Sequence, residues 1–199
     1  MRIGIYGGTF DPVHVGHLVL AEQCREQCRL DEVWFVPAGR PPHKTDAAIT
    51  PARQRLEMLE LALAGHDRFR IHRFEVERSG PSFTVETLQH VHEETPGCDW
   101  FLLLGADSVR DFPTWREPDR IAELATIVAV NRGDRPPCDP REMVRLFGED
   151  RFVVAQMPGL DIASSDLRRR VHEGRSIRYL VPRGVEVYIQ QHKLYRSGN

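Results

Sequence analysis

An α/β fold, built on one doubly wound parallel sheet with helices on both faces and a small C-terminal helical portion, is what this sequence predicts, on three observations. Short apolar runs rich in Val, Ile, Phe and Trp alternate with stretches of helical period from one end of the chain to the other. Proline opens several of the helical stretches, at the first-turn position that suits its fixed φ. Glycine, histidine and acidic residues gather directly behind the strand candidates, where ligands bind in sheets wound this way.

The elements follow in order. Arg2–Tyr6 holds the apolar run Ile3-Gly4-Ile5-Tyr6 and is the first strand; behind its glycines, helical period sets in over Gly16–Cys28. Glu32–Pro37, with Val33-Trp34-Phe35-Val36, is a second strand, and Pro51–Ala64 the helix that follows it. Phe69–Phe74 is predicted as a strand and Ser82–Glu94 as a helix. The apolar runs Trp100–Leu104 and Thr126–Val130 are strands separated by a helix over Pro118–Leu124. A surface loop at Gly133–Pro140, with its proline pair and aspartates, leads into a helix over Pro140–Phe147 and a last strand at Phe152–Ala155. Ser164–His172 and Pro182–His192 are terminal helices. Such alternation implies crossover connections and a mostly parallel, Rossmann-like sheet. No low-complexity linker or internal repeat divides the chain, so residues 1–199 are expected to form a single domain, its part from about 160 onward completing the site.

Composition narrows the function. With 199 residues, 41% of them hydrophobic and 28% charged, the chain has the makeup of a soluble globular protein with a sizeable core. A formal charge of -2 gives no footprint for general nucleic-acid binding. No stretch approaches the roughly 18 apolar residues of a membrane span, and the N-terminus runs straight into strand-like sequence, so a cytoplasmic location is expected. Cys24 and Cys28 share a helix face while Cys98 and Cys138 stand alone, which reads as reduced thiols rather than a redox or zinc pair.

The most informative segment is Gly7-Gly8-Thr9-Phe10-Asp11-Pro12-Val13-His14-Val15-Gly16-His17. Paired glycines open conformations closed to residues with a Cβ and let the backbone approach a ligand. The helix behind them offers unpaired N–H groups and the positive end of its dipole to phosphate oxygens. Two imidazoles add hydrogen-bond donors for a charge-rich transition state. A Walker loop is excluded because no Lys-Ser or Lys-Thr closes the glycines, and the dinucleotide fingerprint because its three spaced glycines are missing. The zinc-protease pattern is excluded by the histidine spacing. Further polar segments follow later strands: Pro37–Lys44, Gly105-Ala106-Asp107 and Asn131-Arg132.

These residues resemble those of the bacterial nicotinate-nucleotide adenylyltransferases, within the nucleotidyltransferase superfamily marked by histidine–any–glycine–histidine, from end to end. The mark is His14, Val15, Gly16 and His17, joined by the distal helix start Ile162-Ala163-Ser164-Ser165-Asp166-Leu167-Arg168. Narrower matches are Pro41-Pro42-His43-Lys44, Pro81-Ser82-Phe83-Thr84, Leu104-Gly105-Ala106-Asp107-Ser108 with Trp115, and the ending Leu180-Val181-Pro182 through Leu194-Tyr195. Ala163 stands where many members have serine, and Ser164 or Ser165 is expected to cap the helix in its place.

The resemblance implies transfer of the adenylyl group of ATP to nicotinate mononucleotide, giving nicotinate adenine dinucleotide and pyrophosphate in NAD biosynthesis, by direct in-line attack. His14 and His17 would be catalytic. Gly7, Gly8, Thr9, Phe10, Gly105, Ile162, Ser164, Ser165 and Arg168 would join them in holding ATP. Lys44, Thr84, Asp107, Trp115 and Arg132 would bind the acceptor: Lys44 its phosphate, Asp107 a ribose hydroxyl, Trp115 and Thr84 the pyridine ring and its carboxylate. For Asp107 the competing role is N-cap of a helix from Ser108 onward. Mg²⁺ would be carried mainly by the ATP phosphates, with no protein metal site and no nucleic-acid or membrane partner; a homo-oligomer is left open. Competing readings are a pantetheine-phosphate, glycerol-phosphate or nicotinamide mononucleotide enzyme on the same scaffold, or a non-catalytic nucleotide sensor.

Overall fold

The computed structural model describes residues 1–39, 49–133, 140–148 and 150–196. Within them the strands are β1 (Arg2–Gly8), β2 (Glu32–Pro37), β3 (Phe69–Ile71), β4 (Asp99–Gly105), β5 (Thr126–Arg132) and β6 (Phe152–Met157). They form one 6-stranded sheet of order β3-β2-β1-β4-β5-β6, every pairing parallel. The chain winds outward from β1 through β2 to β3, then crosses back to lay β4 on the other side of β1. That reversal opens a crevice beyond the carboxyl ends of β1 and β4.

The helices are α1 (Val15–Gln27), α2 (Ala52–Leu63), α3 (Phe74–Glu77), α4 (Thr84–Glu94), α5 (Ala106–Asp111), α6 (Pro118–Leu124), α7 (Pro140–Phe147), α8 (Ser164–His172) and α9 (Arg183–Gln191), with a 3-10 turn at Phe112–Thr114. Leu20 of α1, Met58 and Leu59 of α2, Leu167 of α8 and Val185 of α9 pack with Phe35, Leu103, Val128 and Val130 on one face of the sheet. Leu88 of α4, Val109 of α5, Ile121 of α6 and Met143 of α7 pack with Ile3, Ile5, Leu102, Leu104 and Ile127 on the other. Successive residues of β4 and β5 thus enter opposite cores, which is why both strands are continuous apolar runs. Each fully buried aliphatic side chain contributes about 1.5–3 kcal/mol.

Four expectations are corrected. The third strand stops at Ile71: the His72 N–H still donates to the Phe35 carbonyl at 2.9 Å, but Arg73 turns helical (φ -92, ψ 0) and Phe74 opens α3, its ring stacked on His90 of α4. Tertiary stacking, not strand pairing, accounts for that aromatic residue. Second, α5 covers the place where a helix from Ser108 onward stood only as the competing role for Asp107, and the 3-10 turn has no counterpart in the sequence reading; both are too short to display a period. Third, Pro51 and Pro182 are N-caps rather than first-turn residues, whereas Pro118 and Pro140 do open their helices. Fourth, α4 begins at Thr84, not Ser82. Cys24 and Cys28 are buried and form no disulfide, with burial pushing both pKa values up, while Cys138 lies outside the described residues.

One buried polar network fixes the loop behind β1. Arg55 sits on the inner face of α2 with Met58, Leu59 and Leu63, only 1% exposed. Its guanidinium donates to the carbonyls of Thr50 (2.9 Å), Thr9 (2.8 Å), Ala38 (2.7 Å) and Gly39 (3.2 Å). Burial lowers its pKa, and the charge of nearby Asp11 works against that shift. Asp11, also buried, accepts the Thr50 N–H through Oδ2 at 3.1 Å and the Tyr195 hydroxyl through Oδ1 at 2.6 Å. The loops after β1 and β2, the start of α2 and the end of the chain thereby meet at one point. Gly39 is required there, since a Cβ would lie 2.0 Å from the Glu75 carbonyl oxygen.

Arg55→Met keeps the bulk of the side chain but strips four carbonyls of their donor and leaves the Asp11 carboxylate without its compensating charge. The expected loss is about 3–5 kcal/mol, read from urea unfolding; a loss under about 1 kcal/mol would contradict a structural role for the network.

Candidate active site

The crevice holds a cavity of about 330 Å³. Gly7 and Gly8 at the end of β1, Thr9 behind them, Gly105 at the end of β4 and His17 of α1 form one side, and Thr84, Asp107 and Trp115 form another. A second cavity of about 560 Å³ adjoins it and shares Ser82, Thr84, Ser108 and Trp115. Residues from five elements therefore reach one space, as the topological reversal demands.

The two glycines act through space rather than through conformation. Neither has a positive φ; the left-handed residue in the loop is Phe10, at φ 49. A Cβ on Gly7 would meet nothing within 4 Å, so the glycine keeps the cavity open where a ligand meets the backbone. A Cβ on Gly8 would lie 2.9 Å from the Phe10 ring. That ring is buried edge-on against Tyr6 (centroids 5.5 Å) and His17 (5.1 Å), so Phe10 supports the site from within the core instead of facing the cavity.

The histidines form a stacked pair, centroids 3.6 Å apart and planes at 23°. His14 is the N-cap of α1 and is buried behind His17, away from the cavity wall. Gly16 makes the stack feasible, because a Cβ there would press on the His14 ring at 3.1 Å. The His14 backbone N–H donates to His17 Nδ1 at 3.1 Å. An accepting Nδ1 carries no proton, so the neutral His17 ring carries its hydrogen on Nε2.

The distal helix start adjoins this loop but not in the predicted way. Ala163 is the N-cap of α8 and contributes no side-chain cap; neither serine replaces it. Ser164, the first helical residue, donates its hydroxyl to the Pro12 carbonyl at 2.9 Å, and Arg168 donates to the Asp11 carbonyl at 2.7 Å. Ile162 approaches the Gly16–His14 contact from the same side, and Ser165 is exposed. Ile162, Ser164 and Arg168 thus stand beside the β1–α1 loop, and all three, like Ser165, lie outside the wall of the 330 Å³ cavity.

On the opposite side, Gly105 and not Asp107 is the N-cap of α5; Asp107 lies in its first turn, exposed and paired with Arg110. Trp115 packs on Phe112 and leaves one edge to both cavities. Arg132 ends β5, and only its backbone is described; Lys44 lies outside the described residues. Glu75 of the wall escapes sequence reasoning, and Ser82 enters it only within the Pro81–Thr84 match and as an expected helix start. Glu75 is buried and accepts the Thr87 hydroxyl at 2.6 Å, with burial raising its pKa against the hydrogen bonds of Thr87 and Ser82. Ser82 Oγ in turn accepts the Gly39 N–H at 3.2 Å. A four-residue helix carries no periodic signal for Glu75. Arg55 did carry one, its register with Met58 and Leu59 on an apolar face.

The cavity wall sets the imidazole of His17 beside glycine backbone, and its carboxylates are already engaged, Glu75 by Thr87 and Asp107 by Arg110. Comparison with known proteins agrees with this geometry. The cytidylyltransferase-like family model matches residues 5–170. A Thermus thermophilus protein named "Probable nicotinate-nucleotide adenylyltransferase" is 48% identical over 197 residues, covering 98% of this chain and 100% of its own. A Thermomicrobium roseum protein of the same name is 47% identical, covering 98% and 92%. Among solved structures, the Plasmodium falciparum nicotinic acid mononucleotide adenylyltransferase complexed with NaAD shares the fold at a TM-score of 0.79 with 21% identity, over 98% of this chain and 97% of that one. A glycine-lined crevice at the switch of the sheet, His17 in its wall with His14 stacked behind it, and 47–48% identity over nearly the whole length to such relatives place this chain in the cytidylyltransferase-like superfamily, as a member of the nicotinate-nucleotide adenylyltransferase family.

Proposed function

We propose that the chain transfers the adenylyl group of ATP to nicotinate mononucleotide, releasing pyrophosphate and forming nicotinate adenine dinucleotide, a step of NAD biosynthesis in the cytoplasm. The observation that carries this reading is the meeting of Gly7, Gly8 and His17 with Thr84, Asp107 and Trp115 around one cavity at the sheet reversal. The acceptor's 5′-phosphate is itself the nucleophile, so its attack on the α-phosphorus needs no base and no covalent intermediate. Rate enhancement then reduces to alignment and charge stabilisation.

His17 is assigned to the reacting phosphate, through the Nε2 hydrogen that its contact with His14 fixes. His14 is assigned as its support, holding ring and tautomer. Gly7, Gly8, Thr9 and Gly105 let ATP lie against backbone, with Phe10 bracing the loop. Ile162, Ser164, Ser165 and Arg168 bring the uncapped first turn of α8 to the same loop for the outer phosphates. On the acceptor, Trp115 stacks on the pyridine, Thr84 meets the nicotinate carboxylate, Asp107 takes a ribose hydroxyl, and Lys44 and Arg132 supply positive charge. Magnesium carried by the ATP phosphates would neutralise the departing pyrophosphate.

Two measurements test this. Purified protein with magnesium and ATP is expected to release pyrophosphate fastest with nicotinate mononucleotide among nicotinate mononucleotide, nicotinamide mononucleotide and phosphopantetheine; activity confined to phosphopantetheine would refute the acceptor assignment. His17→Ala is expected to lower kcat by about 100-fold or more while ATP affinity stays within about threefold, because the imidazole meets charge that develops in the transition state. Normal ATP binding by the variant, with no turnover by the parent on any acceptor, would favour a nucleotide sensor.

A further inference from the structure

Away from the cleft, three metal-ligating side chains converge. His72 follows β3, and His90 and Glu94 stand one turn apart on α4; one ligand atom of each lies within 4.8 Å of the other two. His72 Nε2 is 2.8 Å, and His90 Nε2 3.5 Å, from the same Glu94 oxygen. Both rings are held in place by aromatic neighbours. His72 lies parallel to Trp34 (centroids 5.2 Å, 6°) and His90 to Phe74 (4.0 Å, 11°). The His72 side chain is 13% exposed, against 39% for His90 and 50% for Glu94, so the group is walled by protein on one side and open to water on the other.

We propose that His72, His90 and Glu94 form a binding site for one divalent transition-metal ion of the zinc type, completed by water. Bonds of about 2.0–2.2 Å to imidazole nitrogen and carboxylate oxygen put tetrahedral ligand atoms about 3.3 Å apart, close to the 2.8 and 3.5 Å of the two histidine–carboxylate pairs, with all three ligand atoms within 4.8 Å of one another. Two imidazoles select zinc, cobalt(II) or nickel(II) over magnesium, which prefers oxygen ligands. Binding through Nε2 requires the imidazole hydrogen on Nδ1: an imidazolium releases its Nε2 proton to solvent, a neutral ring with its hydrogen on Nε2 passes to the other tautomer, and neither involves a redox change. The remaining nitrogen of His72, Nδ1, is buried without a hydrogen-bond partner among the described residues. The contact that usually orients and strengthens a zinc-bound imidazole is therefore missing, which costs about 10–100-fold and sets the expected Kd on the order of micromolar. The ion would tie the end of β3 to α4, next to Glu75, Thr84 and Thr87 in the cleft wall, without entering the cleft.

The test uses metal-free full-length protein without nucleotide, so it is independent of the proposed reaction. Zinc binding is measured by calorimetry with magnesium in excess, and cobalt(II) binding by absorption. His90→Phe preserves the ring stack on Phe74 and Glu94→Gln preserves shape; melting in EDTA verifies that both variants fold. The proposal expects one ion per chain, cobalt bands of nitrogen and oxygen ligation without a thiolate charge-transfer band, and affinity weakened at least about tenfold in each variant. It also expects zinc to raise the melting temperature of the parent and of His17→Ala but of neither variant. No saturable binding up to about 100 μM, a thiolate band, or affinity unchanged in both variants would overturn it.

Discussion

The buried contact set of Asp11 and Arg55 is the constraint on which the cleft depends. A guanidinium with four carbonyl acceptors and a carboxylate with two donors are costly to bury, and they are tolerated because nearly every polar atom is engaged. What this secures is position. Thr9, Ala38 and Gly39 leave neighbouring strands at their carboxyl ends, and a single side chain from α2 holds all three. Tyr195 brings the end of the chain to the same carboxylate, while Arg168 and Ser164 grip the loop from α8.

From that fixed loop the chemistry follows by short steps. Phe10, turned into the core through its left-handed backbone, braces His17; Gly16 lets His14 lie flat against it; the His14 N–H fixes which nitrogen of His17 carries hydrogen. Gly7 leaves bare backbone facing the cavity. An anion meeting this surface finds oriented donors at no cost of reorganisation, the condition under which electrostatic stabilisation of a transferring phosphoryl group is largest. The opposite wall is organised in a similar way, with Glu75 joining Thr87 and Ser82 and Ser82 joining Gly39.

Much of this is legible in the sequence. The strands announce themselves because each core strand is buried on both faces, and the parallel order follows from their alternation with helices. The segment from Gly7 to His17 and the helix start near Ser164 do meet in space, though Ser164 holds a neighbouring carbonyl instead of capping its own helix. Phe10 reads as a ligand contact and proves to be core, since nothing in its local sequence reveals a positive φ. The role of Gly8 is hidden for the same reason: its missing Cβ makes room for a ring two residues on. The strand at Phe69 reads past its end because aromatic residues favour strands, whereas Phe74 is claimed by a histidine of α4. Arg55 escapes notice because an arginine in a helix is usually solvated; its register with Met58 and Leu59 is the available clue.

The central claim is that the loop behind β1 is held by the Asp11 network and not by glycine conformations, and amide hydrogen exchange in Tyr195→Phe tests it most directly. Removing one hydroxyl leaves a buried carboxylate oxygen without its donor, at a cost of about 1–2 kcal/mol. Exchange at Thr9 to His14 should then quicken by about tenfold or more, with ATP affinity falling in step and the amides of β4 and β5 unchanged. Unaltered protection at Thr9 to His14 would contradict the account.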